Sequence, residues 1–418
     1  MCIKDSHTWP GYLIAPDASG LRTIHHDLLV KPGPSPPSQP TITIFICQRA
    51  LWPCQLRFTM SDLLNCPVID CHVHIHQAAG APAMRELLRQ CGLRQVAIQS
   101  IPAYENEGPG QNIGGLLAKV ANPGRVFLFG GMQYDHPHLP VEAMDLLGQV
   151  KRLIAAGADG IKMIEGKPGT RLDIGDIPLD SPVYDDVYGY LEAKQIPLLS
   201  HVADPATFWD PARCPEWAVS AGWAWFRPDF PTLKRLHTEV AHLLTKFPRL
   251  RVIFAHFYFL SEDVTVAARF MDDFPNANLD ITPGIEMFED FSKQPAVWRD
   301  FFTTYQDRLF FGTDNICYRK TQTVEDAAEK VQQMRRFLET DGKVKFWDLT
   351  LNGMALPSPV LEKLYYRNFQ RLVGVTPKAV DRALAVAECA RVIAFAESRP
   401  ELHAQIPAYR RILKRLEM

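Results

Sequence analysis

The chain has 418 residues, with 45 Lys plus Arg against 47 Asp plus Glu and 47% hydrophobic content. That length accommodates one large domain or two ordinary ones around a sizeable core. The near-neutral balance, without long like-charge runs, excludes a general attraction to nucleic acid or to an anionic membrane. Nine cysteines, with no C-x-x-C pair and no dense framework, read as reduced thiols of a cytoplasmic protein. No apolar run reaches the roughly 18 residues of a membrane span. The nearest, "TITIFICQRALW", is broken by Gln48 and Arg49.

In chain order, residues 1–59 form a Pro-rich extension around "KPGPSPPSQP" in which little order is expected. Met60 opens "MSDLLNCPVIDCH", which leads into the first strand. From there, short β-rich segments recur, each followed by a stretch of helical period. The strands are "PVIDCHVH", "RQVAIQS", "RVFLFGG", "ADGIKMI", "IPLLSHV", "LRVIFAH", "ANLDIT" and "RLFFGTD". Between them lie amphipathic stretches such as "PAMRELLRQC", "PVEAMDLLGQVKRLIAAG", "TLKRLHTEVAHLLTKF" and "EDVTVAARFMDDF". Eight such units predict an α/β protein, a (β/α)8 TIM barrel over residues 60–375. The rival, an open doubly wound sheet, usually carries a phosphate loop, and neither G-x-G-x-x-G after an early strand nor G-x-x-x-x-G-K-[ST] occurs. Residues 376–418, including "PKAVDRALAVAECARVIAFAES", are expected as C-terminal helices packed on the barrel.

The first strand carries the unusual chemistry. Strict alternation would point Asp70, His72, His74 and His76 to one side and Cys71, Val73 and Ile75 to the other. Burying such polar groups without partners costs roughly 2–7 kcal/mol each, and a divalent cation removes that cost. His201, His256 and Asp314 each arrive just as an apolar run stops. In a parallel barrel those strand ends open onto one mouth, where catalytic groups gather.

D-x-H-x-H on the first strand, His ending the fifth and the sixth, and "FGTD" ending the eighth resemble the amidohydrolase superfamily. The likeness is to the amidohydrolase-related branch that includes aminocarboxymuconate semialdehyde decarboxylase. It runs from about Pro67 to Val375 and takes in "LEKLYYRNFQRLVG". The resemblance implies that His72, His74, His201 and Asp314 bind one divalent ion, zinc ahead of manganese or another divalent ion. It also implies that His256 serves as acid or base beside that ion and that Asp314 doubles as a proton acceptor. Some relatives carry a carboxylated lysine where Lys162 stands, bridging two ions, but a single ion is expected here.

Between the fifth strand and the next helix runs "VADPATFWDPARCPEWAVSAGWAWFRPDF", far longer than the roughly 2–6 residues of an ordinary βα loop. It holds four of the eight tryptophans. Trp209, Arg213 and Arg227 there, with Glu286 after the seventh strand, are candidate substrate-binding residues; an oligomer interface or simple lid packing explains the same loop equally well. His136 and His138 in "YDHPHLP" read as turn residues.

The expected function is a metal-dependent hydrolase in which activated water attacks an amide, ester or lactone of a small organic substrate. The alternative is a metal-dependent decarboxylase acting on an aromatic or muconate-like acid. A third reading is a non-catalytic barrel with a structural metal. No nucleic-acid or membrane partner is expected, and a homo-oligomer is left open.

Overall fold

All eight apolar runs form strands of one parallel sheet in the computed structural model, which describes residues 63–75, 83–103, 108–317 and 322–418. The 1–59 extension and His76 lie outside the described residues. In order the strands are β1 (Ile69–Ile75), β2 (Gln95–Gln99), β3 (Val126–Gly131), β4 (Gly160–Gly166), β5 (Leu198–Val202), β6 (Val252–Phe254), β7 (Ala277–Asp280), β8 (Leu309–Phe310) and β9 (Asn315–Cys317). Consecutive strands pair in parallel from β1 to β8, and β9 pairs in parallel with β1.

β8 and β9 are two pieces of one strand, interrupted where the chain bends through Gly312 and Asp314. Its first piece bonds to β7 and its second to β1. Between them, Cys71 N donates to Phe311 O and Asp314 N donates to His72 O, both at 2.8 Å. These bonds close the sheet into the predicted (β/α)8 barrel, with no strand edge left open at that seam.

The interior is apolar at its lower end. Ile69, Cys71, Ala97, Phe127, Phe129, Leu199, Ile253 and Phe310 pack together, and Phe369 and Leu372 from the helix Asn368–Leu372 cap them. Phe369 meets Phe127 edge-on, with ring centroids 4.9 Å apart. A second, larger core lies between the strands' outer faces and the helices. The C-terminal helices Arg382–Glu397 and Ile406–Glu417 pack on each other and on the barrel helices Gly110–Ala121 and Leu146–Ala156. No described helix is long and apolar enough to cross a membrane.

One expectation about β1 needs correction. Its register against β2 shifts between Asp70 and Val73, so strict alternation fails. Ile69 and Cys71 belong to the barrel interior, whereas Val73 and Ile75 belong to the outer core. Asp70 therefore does not share a row with the histidines. Its carboxylate instead accepts from Thr313 N at 3.1 Å, Thr313 Oγ1 at 2.6 Å and His72 N at 3.1 Å. Burial lifts the Asp70 carboxyl to about 7 against the pull of these bonds.

Candidate metal centre

The irregularity in β1 turns His72 and His74 together toward the barrel mouth, and neighbouring strands hold each ring by its Nδ1. His72 Nδ1 lies 2.9 Å from Asp280 Oδ2 at the end of β7. His74 Nδ1 lies 2.7 Å from the backbone oxygen of Gln99 at the end of β2. Both partners are acceptors, so both Nδ1 atoms carry the proton and both Nε2 atoms present a lone pair. Those two Nε2 atoms face each other at 3.2 Å. Asp314 Oδ1 stands 3.1 Å from His74 Nε2 and 3.8 Å from His72 Nε2.

Two lone pairs and a carboxylate oxygen aimed at one point repel one another unless a cation or an extra proton lies between them. The spacing suits a cation: donors about 2.0–2.1 Å from a tetrahedral ion sit roughly 3.3 Å from each other. His72, His74 and Asp314 thus form a fitting donor set, with all three ligand atoms within 4.8 Å of one another. Burial, followed by the charge of Lys162, holds the His72 imidazole well below its usual range, which keeps it neutral and ready to ligate. Despite its burial, the Asp314 carboxyl is held well below the usual carboxylate range by the imidazoles of His74, His72 and His256 gathered around it.

Asp314 reaches this point through local geometry that the sequence specifies at Gly312. A Cβ on Gly312 would lie 2.3 Å from Thr282 Oγ1 and 2.9 Å from His72 Cβ, so only glycine lets the strand pass over His72. Asp314 itself adopts φ 56°, a left-handed conformation uncommon outside glycine. Asp70, by gripping Thr313, ties that turn to β1.

Asp280, which no sequence expectation named, organises the centre. Besides fixing His72, it accepts from His256 N at 2.9 Å and Thr282 N at 3.0 Å through Oδ1. Its acid ends a strand in "ANLDIT", as Asp314 follows one in "RLFFGTD", but Ile281 continues the apolar run past it. His256 opens a run of four left-handed residues, His256 to Phe259. Each costs about 1–2 kcal/mol, and the packing of Phe257 against Phe291 and Trp298 helps hold the run in place. The turn sets the His256 ring 5.4 Å from His72 and 4.8 Å from His201, centroid to centroid. Its Nδ1 donates to Thr282 O at 3.3 Å.

The fourth ligand that the resemblance implies is placed differently. His201 lines the same cleft, but its Nε2 lies 3.1 Å from Ala203 O and 3.6 Å from Asp204 Oδ1, outside the three-residue group. Asp204 also accepts from Lys167 Nζ at 2.7 and 2.8 Å and from Trp225 Nε1 at 3.1 Å.

The expected substrate residues fare less well. Arg213 pairs with Glu262 and Arg227 with Asp229 on the exposed surface, and Trp209 Nε1 donates to Pro231 O. The loop buries Phe208, Ala218 and Trp225 in an aromatic cluster of its own, so its local pairings consume the groups that sequence reading aimed at the mouth. Glu286 does not line the cleft either; burial first, and then Asp290 and Asp204, lift its carboxyl to about 7. Trp225 bonds to the mouth through Asp204, and the Trp223 ring lies 4.5 Å from Nζ of the cleft's Lys167.

The amidohydrolase family model matches residues 116–375, more than half of the chain. The chain belongs to the amidohydrolase family. The match contains His201, His256, Asp280 and Asp314 but starts beyond β1, so His72 and His74 enter the centre on geometry. No curated protein matches this amidohydrolase. An uncharacterized TIM-barrel protein from Bordetella bronchiseptica is 13% identical, with 74% of this chain and 99% of that chain covered at a TM-score of 0.47. A probable 2-pyrone-4,6-dicarboxylic acid hydrolase from Acinetobacter baumannii is 12% identical, covering 74% and 100% at 0.45. A 4-oxalomesaconate hydratase from Rhodopseudomonas palustris is 13% identical, covering 74% and 96% at 0.45.

Around the centre, the amidohydrolase's cleft is walled by Ile101, Ile164 and Ile316 and carries Lys162 and Lys167. Burial lowers the Lys162 ammonium to about 8, against the nearby charges of Asp280, Asp314 and Glu165. Such a cleft can hold a cation on one wall, receive a small substrate and exchange a proton at His256.

Proposed function

We propose that this amidohydrolase holds one divalent ion, zinc before manganese, and hydrolyses an amide, ester or lactone of a small organic substrate. His72, His74 and Asp314 would hold the ion, and His201 lines the same cleft. A divalent ion in such a set lowers the pKa of water toward neutrality and polarises a carbonyl oxygen. The chain's own residues supply the rest. Asp280 keeps His72 in the tautomer that offers Nε2, the service that outer hydrogen-bond partners give to ligating imidazoles. His256 has its Nδ1 committed to Thr282 O, which leaves Nε2 to take or return a proton. Burial holds His256 well below its usual range, so it rests as the neutral, accepting form. The isoleucine walls exclude bulk water from the reacting groups.

The observation that carries this reading is the convergence of two imidazole lone pairs and one carboxylate oxygen at the mouth of the barrel. It is tested by metal analysis of purified protein combined with assays on lactones, esters and amides. His256→Gln is expected to lower kcat by about 10²–10⁴-fold while leaving the metal content unchanged. Carbon dioxide released from carboxylic acids, with no hydrolysis of any panel member, would replace hydrolysis by decarboxylation. A full metal complement with neither activity would leave a structural ion.

Acid should strip the ion in a defined direction. A ligating imidazole must be unprotonated, and burial holds His72 neutral to well below pH 6.5. The ion is therefore expected to stay through neutral pH and to leave only as pH falls well below that value. Metal content after dialysis across a pH series measures this, and loss beginning above pH 7 would contradict it.

A further inference from the structure

We propose that Lys162 anchors a carboxylate of the substrate, which makes the substrate a small organic acid with an apolar body. This deepens the hydrolase reading and uses its cleft. Three lysines are buried among the described residues: Lys119, Lys162 and Lys167. Lys119 owns Asp159, and Lys167 owns both oxygens of Asp204. Lys162 is only 2% exposed, yet its Nζ has no hydrogen-bond partner.

An ammonium withdrawn from water without a partner is strongly unfavourable, and a protein that keeps one at a cleft keeps it for something that arrives there. Lys162 lines the same cleft as His74, His201, His256 and Asp314, so the arriving group sits beside the reacting centre. Charge balance gives the same sign. With a dication in place, Asp280 and Asp314 offset the ion and Lys167 is offset by Asp204, while Glu165, whose carboxyl burial lifts to about 7, offsets the Lys162 charge only in part. One point charge, with no arginine among the described cleft residues, fits a monoanionic carboxylate better than a phosphate, which usually gathers several donors. Ile101, Ile164 and Ile316 then face the apolar body.

The test is isothermal titration of the metal-loaded protein with a series of acids from acetate to benzoate, each against its neutral amide, and with inorganic phosphate. The acids are expected to bind about tenfold or more tighter than the amides. Lys162→Met is expected to erase that preference at unchanged metal content and circular dichroism. Lys162→Gln repeats the measurement should the methionine variant fail to fold.

Equal binding of acid and amide, no binding of any acid, or a preference that survives both substitutions would each overturn the proposal. Phosphate binding tighter than every acid would do so too. So would a carbamate resonance after loading with ¹³C-bicarbonate, because a carboxylated lysine is itself an anion. Absence of metal from the same samples would sink the hydrolase reading separately, since the acid preference is read by titration and not by turnover.

Discussion

His74→Ala protein is expected to fold and to lose its divalent ion. The ring is 7% exposed at the barrel mouth and its Nδ1 donates to the Gln99 backbone oxygen, so removal costs the fold about 1–3 kcal/mol for that one orphaned acceptor. It costs the centre one of the donor atoms gathered at one point. Affinity should fall by more than the roughly 10–100-fold that losing an outer hydrogen-bond partner costs a metal site. Metal content per protomer, measured by atomic emission beside a circular dichroism spectrum, decides it. A variant that keeps a full complement of metal would place the ion elsewhere and take the proposed chemistry with it.

Substitution of Asp280 should separate two roles of one carboxylate. Asp280→Ala leaves His72 Nδ1, His256 N and Thr282 N without their acceptor. Each buried orphan costs about 1–3 kcal/mol, so both stability and metal are expected to suffer. Asp280→Asn keeps the shape, and its carbonyl oxygen can still serve His256 N and Thr282 N. Its amide then faces His72 Nδ1 as a donor. The imidazole answers with the opposite tautomer, which puts a proton on Nε2 where the lone pair is needed. The asparagine variant is therefore expected to unfold near the parent's denaturant midpoint while binding metal about 10–100-fold more weakly. Equal metal affinity in parent and asparagine variant would show that Asp280 does not set the tautomer.

The barrel was legible because its evidence is local and repeated. Each strand is a short apolar run bounded by turn residues, each helix carries its own apolar stripe, and eight such units leave few ways to bury their faces. The ends of β1, β5, β6 and β8 were legible for a similar reason, since a polar residue closing an apolar run marks itself. Asp280 ends its strand as well, but Ile281 follows it in "ANLDIT", so the apolar run continues past the acid and does not mark it. The loop after β5 left its role open by composition alone. Arginine and tryptophan in a long mouth segment resemble a substrate surface, but Arg213 and Arg227 find acids nearby and Trp209 finds Pro231 O.

What the order of residues determined about this amidohydrolase is the kind of group present at each strand end, because that follows from covalent neighbours alone. Tertiary structure decided which of those groups meet. The slip in β1 freed Asp70 to bind Thr313 and turned His72 and His74 inward. Closure between β1 and the last strand brought Asp314 to them, and the ends of β2 and β7 fixed their tautomers. Convergence to within a few ångström depends on register and on the bending of strands far apart in the chain. No spacing between letters records either.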